Sequence, residues 1–140
     1  FRGWRTRSTS DLTDPADYRA YVRKSLGEFT VAKEQYVRPR SGWFSDRSVC
    51  YLAAARPVIV QDTGIGSWLP RGQGVHLFGS LEEALECIDA VNADYAAQRR
   101  AAVTLARDIF AYQVVLPRLL ELAFAAAPHA RSAPERGAAG

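Results

Sequence analysis

Two short segments of the chain carry the residue types that hold phosphate groups. Residues 38–48 (RPRSGWFSDRS) combine arginines with serines and a glycine, and residues 62–66 (DTGIG) are rich in glycine. A Gly/Ser turn that leads into a helix presents backbone N–H groups and the positive end of the helix dipole to an anion. Arg38, Arg40 and Arg47 could neutralise phosphate charge. The spacing therefore allows a diphosphate site.

The same residues also have structural interpretations, which the sequence leaves open. Gly42 either lets a ligand approach the backbone closely or makes a turn, and Ser45 either donates its hydroxyl to a phosphate or caps a helix. Trp43, Phe44 and Trp68 either stack on a base or sugar or pack into the protein.

Other reactive residue types do not form a recognisable site. His76 lies in a short predicted strand without a partner at metal-ligand spacing, and Cys50 and Cys87 are predicted to be buried as small apolar residues. The glycines of residues 64–66 are not a dinucleotide fingerprint, because Leu69 occupies the third glycine position and no helix opens there. The sequence therefore predicts no metal site.

Helices and strands alternate along the chain. Asp14 is a predicted N-cap, Gly27 a predicted helix end, and Ser80 with Glu83 a capping box. The helix after Ser80 carries one apolar face: Leu81, Ala84, Leu85, Ile88 and Val91. The predicted order is helix 15–26, strand 28–33, loop 34–43, helix 45–55, buried strand 58–60, loop 62–74, strand 75–78, and helices near 81–91, 96–110 and 115–124.

This alternation predicts an α/β fold, namely a three-layer, Rossmann-like parallel sheet. Three strands make a narrow sheet with an open edge, so we expect further strands ahead of residue 1. Residues 1–13 are interpreted as a linker or severed connection, residues 14–124 as the α/β domain, and residues 125–140 as a disordered tail.

The amino-acid composition excludes several classes of protein. The 140 residues are 48% hydrophobic and 24% charged, which suits one globular domain. No apolar run is long enough for a membrane span, and two cysteines are too few for a disulfide framework, so a cytoplasmic location is expected. Residues 1–50 hold ten Lys/Arg against six Asp/Glu, whereas residues 51–140 hold eight against nine. The basic first part suits an anionic partner.

Part of the chain resembles the donor-binding region of nucleotide-sugar glycosyltransferases with the GT-B architecture. The resemblance rests on residues 41–48 (SGWFSDRS), residues 51–64 (YLAAARPVIVQDTG) and residues 81–84 (LEEA). Residues 18–120 fit a bacterial subgroup of such glycosyltransferase-like proteins. The resemblance implies the C-terminal half of a GT-B enzyme, with an N-terminal acceptor domain ahead of residue 1.

The resemblance also implies a ligand and its contacts. The ligand is a nucleoside diphosphate sugar as donor substrate, without a further cofactor or metal. Lys33 or Arg47 would compensate the charge of the leaving group. Because the catalytic base of inverting members lies on the acceptor domain, this chain alone would bind donor without turnover. The implied donor-binding residues are Lys33, Ser41, Gly42, Trp43, Phe44, Ser45, Asp46, Arg47, Asp62, Thr63 and Gly64.

Departures from the family pattern indicate a second function as an alternative. Gly42 and Cys50 stand where many retaining members have glutamates, Ala55 replaces a usual glycine, and Asp46 could supply the missing ribose-binding carboxylate. The alternative is a non-catalytic binding or interaction module with a glycosyltransferase-like fold. A basic nucleic-acid-binding module is a third, weaker option, which the acidic later part of the chain disfavours.

Overall fold

The computed structural model describes residues 8–125. Residues 1–7 of the predicted linker and residues 126–140 of the predicted tail therefore lie outside the described residues. The elements are α1 (Pro15–Lys24), β1 (Glu28–Thr30), α2 (Glu34–Val37), α3 (Asp46–Ala53), β2 (Val58–Gln61), β3 (Val75–Phe78), α4 (Leu81–Ala93), α5 (Tyr95–Phe110) and α6 (Tyr112–Ala125), with short 3-10 helices at Thr9–Asp11 and Ile65–Ser67.

The three strands form one parallel sheet in the order β1-β2-β3. Glu28 pairs with Val58, and Val58 pairs with Val75. The central strand β2 is buried over its first three residues, as its continuous apolar sequence predicts. The predicted parallel α/β architecture is thus confirmed at the level of a small, open, three-stranded sheet.

Helices cover both faces of the sheet. Successive strand residues point to opposite faces, so Val58 and Val60 face one layer while Ile59 faces the other. The first layer holds α1, α3 and α5, whose buried residues Val22, Tyr51, Leu52, Ala102 and Ala106 join the larger core cluster. The second layer is α4, which packs Ala84 and Val91 against Ile59 and Phe78.

Short polar side chains start the helices as predicted. The Asp14 carboxylate accepts a hydrogen bond from the Ala16 amide at 2.6 Å, and Ser80 Oγ accepts from the Glu83 amide at 3.2 Å. Glu83 Oε2 in turn accepts from the Gly79 amide at 2.6 Å. These bonds satisfy amides that have no partner within the helix.

Gly27 does not end α1, contrary to the prediction. The helix stops at Lys24, where the Ser25 amide bonds to the carbonyls of Tyr21 and Val22. Gly27 serves a different purpose, because a Cβ there would lie 2.6 Å from the Pro57 carbonyl oxygen. The glycine permits close approach of the two chain segments.

Two further predicted boundaries are wrong. Residues 34–43 are not all loop, since α2 makes one helical turn at their start. The strand predicted over 28–33 ends at Thr30 because the Ala32 amide bonds to Gln61 Oε1, 3.1 Å away, in place of a strand partner.

The predicted apolar face of α4 is only partly covered. Ala84 and Val91 are buried, whereas Leu81, Leu85 and Ile88 are exposed.

No described helix has the length and apolar character needed to cross a membrane.

Candidate functional site

The loop before α3 and the loop after β2 are joined by one backbone hydrogen bond and one side-chain hydrogen bond. The Gly42 amide donates to the Thr63 carbonyl at 2.8 Å. Thr63 Oγ1 returns a bond to the Trp43 carbonyl at 2.7 Å, and Thr63 is fully buried. Since β2 ends at Gln61, this junction lies at the carboxyl edge of the parallel sheet, where α/β proteins commonly bind ligands.

Asp62 organises the turn that follows β2. Its Oδ1 accepts from the Gly64 amide at 2.8 Å, and its Oδ2 lies 3.2 Å from Arg40 Nη2. Gly64 has a φ of +91°, and a Cβ there would lie 2.9 Å from the Arg40 carbonyl oxygen. The glycine is therefore required by both conformation and space. Arg40 keeps 67% of its side chain exposed, so its guanidinium remains accessible.

The aromatic side chains of this region have different surroundings. Trp43 stacks on Tyr36 with ring centroids 4.7 Å apart. Phe44 packs inward against Phe110 at 5.6 Å, which places it with the core. Trp68 is half-exposed, and its Nε1 donates to the Gly42 carbonyl at 3.3 Å. The stacking of Tyr36 on Trp43 was not predicted.

Polar side chains already occupy the start of α3. The buried Ser45 accepts from the Arg47 amide at 3.2 Å through its Oγ, and Asp46 Oδ1 accepts from the same amide at 2.8 Å. Ser41 Oγ donates to the Tyr36 carbonyl at 3.2 Å and accepts from the Trp43 amide at 3.3 Å. Of the two interpretations that the sequence left open for Ser45, the structure shows the helix cap.

Arg47 is held by a buried acid. Its Nε lies 2.6 Å from Glu28 Oε1, and its Nη2 donates to Thr30 Oγ1 at 2.5 Å. The hydrogen bond to Glu28 raises the pKa of the Arg47 guanidinium. The Glu28 side chain is 4% exposed, and its Oε2 has no hydrogen-bond partner among the described residues. Sequence reasoning missed this pair, because nothing local links residues 19 positions apart.

The tyrosines near the Glu28–Arg47 pair respond mainly to burial. Burial raises the pKa of the Tyr18 and Tyr51 hydroxyls, and the negative charge of Glu28 adds to the effect. Both hydroxyls therefore stay protonated more strongly than a tyrosine in water.

Lys33 lies apart from these contacts. It is exposed at the N-cap position of α2, where its side chain makes no cap bond. Within residues 8–125, Lys33 forms no ion pair. Of the predicted donor-binding residues, the structure thus joins Gly42, Trp43, Thr63 and their neighbours, and leaves Lys33 separate.

Cys50 is exposed, so its predicted burial is wrong. It borders a cavity of about 370 Å³ between α1 and α3, together with Tyr18 and Arg19. The helix turns it outward because α3 buries Ser48, Tyr51 and Leu52 instead.

Cys87 and His76 occupy structural positions. Cys87 is partly buried, and burial raises the pKa of its thiol. His76 is buried with Nε2 2.9 Å from Gln98 Oε1, and Gln98 Oε1 also accepts from the Gly74 amide at 2.7 Å. Across the described part of the chain, no group of three or more His, Cys, Asp or Glu residues is placed to hold a metal ion.

Comparisons with known proteins add no relative. No protein-family model, no curated protein and no solved structure matches the chain.

Proposed function

We propose that this chain is the nucleotide-sugar-binding half of a glycosyltransferase of the GT-B architecture. The observation that supports it most is the junction between the loop before α3 and the loop after β2. These loops carry the strings SGWFSDRS and DTG of the resemblance, and hydrogen bonds between Gly42, Trp43 and Thr63 join them at the carboxyl edge of a parallel sheet.

Cations beside this junction suit a diphosphate. Arg40 presents an exposed guanidinium that is fixed at one end by Asp62. Arg38 is also exposed on the stretch between β1 and α3, whereas Lys33 lies apart from the junction. Charge-assisted hydrogen bonds from such side chains would hold the phosphates and stabilise the charge that develops when the nucleoside diphosphate leaves.

Under this proposal, some aromatic side chains of the junction contact the ligand, while other side chains only hold the protein around it in place. Trp43 and Trp68 remain partly accessible to a base or sugar. Thr63 and Phe44 act indirectly, since the Thr63 hydroxyl holds the Trp43 carbonyl and Phe44 packs on Phe110. Transfer itself would need an acceptor domain, so donor binding is the activity proposed for this chain.

A non-catalytic interaction module is the second candidate, and one observation favours it. The groups that a phosphate would use at the start of α3 already have partners within the protein. Ser45 and Asp46 both accept from the Arg47 amide, and the Arg47 side chain is bound to Glu28 and Thr30. Under this alternative the fold is kept while donor affinity is lost.

Isothermal titration calorimetry of the 140-residue chain with UDP-, GDP- and dTDP-sugars tests the proposal. We expect one of them to bind, and Arg40→Gln to weaken that binding by about tenfold or more, as loss of a charge-assisted hydrogen bond requires. Arg19→Gln is the matched control, because Arg19 is an exposed arginine on α1 away from the junction. Absence of binding to all three donors, or equal weakening by both variants, would contradict donor binding and leave the interaction module.

A further inference from the structure

The outer edge of β1 carries main-chain hydrogen-bonding groups that no strand of residues 8–125 pairs with. The Glu28 amide donates to the Pro57 carbonyl at 3.0 Å, so the polar backbone groups of Glu28 face β2. Because these groups alternate in direction along a strand, the N–H and C=O of Phe29 face away from β2. The sheet order β1-β2-β3 leaves that side open. An extended chain is the partner that supplies donors and acceptors at the spacing of such an edge.

An apolar cavity lies beside this edge. Its volume is about 520 Å³, and its lining residues come from β1, β2, α4 and the residues next to them. Phe29 pairs in register with Ile59, so both lie on the face of the sheet that α4 covers. Ile88 of α4 lines the same cavity and is 38% exposed. A strand added to β1 would therefore meet apolar surface beside its side chains as well as hydrogen bonds along its backbone.

The residues of this edge are complementary to a second copy of themselves. Gly27 and Val31 flank β1, each two residues from Phe29, so in an extended chain they share its orientation. A two-fold axis at Phe29 pairs Phe29 with its own copy and Val31 with Gly27 of the partner subunit. Gly27 has no side chain and borders the cavity, which leaves space there for an apolar group. Val31 is 65% exposed and supplies such a group.

We propose that two copies of this chain associate by antiparallel pairing of their β1 strands, which joins the two sheets into one of six strands. The two Phe29 residues exchange both main-chain hydrogen bonds across the axis, and each Val31 enters the cavity of the other copy. The pairing is antiparallel because facing residues can exchange both bonds in an antiparallel ladder and cannot in a parallel one. An unrelated strand would satisfy the backbone alone, whereas this chain also supplies the side chain that the space beside Gly27 requires.

Cysteine cross-linking tests the register of the pairing. The background is Cys50→Ser/Cys87→Ser, which removes the two native thiols. In it, Phe29→Cys should form a disulfide between copies on addition of copper–phenanthroline as oxidant, since facing residues have Cα atoms about 5.5 Å apart. Val31→Cys is the matched control and should stay unlinked. In this register the two copies of residue 31 lie four residues apart along the strands, which is about 14 Å.

Size-exclusion chromatography with light scattering measures association of the 140-residue chain. The mass should rise from that of one chain to that of two over about a hundredfold increase in concentration, and stop there because a two-fold interface is closed. Val31→Asp should keep the chain monomeric, because a carboxylate would have to enter the apolar cavity. Leu85→Asp on α4 is the control, since Leu85 is exposed and does not line the cavity. Circular dichroism establishes that each variant is folded.

Three results would each overturn the proposal. A chain that stays monomeric at every concentration would leave the edge to a strand from outside residues 8–125. Equal cross-linking of Phe29→Cys and Val31→Cys would exclude the two-fold register at Phe29. A dimer that Leu85→Asp dissociates and Val31→Asp does not would place the interface on α4. All three are measured without nucleotide, so they stay separate from the test of donor affinity.

Discussion

At the scale of single residues, glycines separate two physical requirements that the sequence cannot distinguish. Gly72 and Gly74 both have positive φ, of +88° and +75°. A Cβ at Gly72 would meet nothing within 4 Å, whereas one at Gly74 would lie 2.6 Å from the Ala102 amide nitrogen on α5. Gly72 is therefore needed for conformation alone, and Gly74 also for the packing of α5 against the start of β3.

This difference predicts unequal costs of two identical substitutions. Gly72→Ala should lower the free energy of unfolding by about 1 kcal/mol, the cost of a left-handed residue with a Cβ. Gly74→Ala should cost about 1–3 kcal/mol more, because backbone atoms of α5 must move away from the added methyl group. Urea unfolding of the two variants measures the difference. Equal midpoints would show that α5 yields without cost.

The Glu28–Arg47 pair shows a second residue-scale effect. A buried carboxylate needs a partner, and the Arg47 guanidinium supplies one while remaining half-exposed itself. This use of Arg47 conflicts with the free phosphate-binding role that its position at the start of α3 suggested. Arg40, whose side chain stays 67% exposed while it pairs with Asp62, is the cation better placed for an external anion.

At the scale of elements, the residues that begin the helices could be predicted from nearby sequence, whereas the exposure of the helix side chains could not. Asp14 and Ser80 cap the helices that the sequence assigned to them, and Ser45 caps α3, which was one of its two open interpretations. Capping depends on side chains within three residues of the amide, so sequence alone suffices. The exposure of Leu81, Leu85 and Ile88 was not predictable in this way, because it depends on which strands α4 covers.

Asp94 provides a test at this scale. It stands between α4 and α5, and its Oδ1 accepts from the Ala97 amide at 2.9 Å. Asp94→Ala should destabilise the protein by about 1 kcal/mol, whereas Asp94→Asn should cost about 0.3 kcal/mol or less, since both Asp and Asn are good N-caps. Thermal unfolding measures both. Asp108→Ala, an exposed acid on the same helix, is the control, and a loss as large as that of Asp94→Ala would refute the cap assignment.

At the scale of the whole molecule, the sheet ends abruptly at β1. No described strand pairs with its outer edge, and Leu26, Phe29 and Val31 are exposed there. A cavity of about 520 Å³ adjoins this edge, with Phe29, Ile59 and Ile88 in its lining. Parallel sheets are normally covered on both faces. The side of the sheet near β1 therefore leaves more apolar surface uncovered than such sheets usually do.

An open apolar edge predicts self-association through strand pairing. Val31→Lys should lower the concentration-dependent light scattering of the protein, because a charged side chain at the edge resists pairing. The free energy of unfolding should change by about 0.5 kcal/mol or less, since Val31 is 65% exposed. Leu85→Lys, an exposed apolar position on α4 rather than at the strand edge, should leave scattering higher than Val31→Lys does. Equal scattering from the two variants would contradict association through the edge.

The amino-acid sequence by itself determined the order of the elements apart from the one-turn helix α2, the parallel α/β class, the buried central strand and the helix caps at Asp14 and Ser80. These depend on periodicity and on contacts between residues close in the chain, both of which can be read locally. It also marked the two loops that meet at the sheet edge, because breakers and glycines follow each strand.

Only the tertiary structure decided how the candidate residues are used. The Glu28–Arg47 pair, the closure of Thr63 onto Trp43 and the packing of Phe44 on Phe110 join residues 19 or more positions apart. The outward direction of Cys50 and the bare surface of α6 likewise depend on what packs beside them. Such contacts follow from the arrangement of whole layers, to which no short stretch of sequence is sensitive.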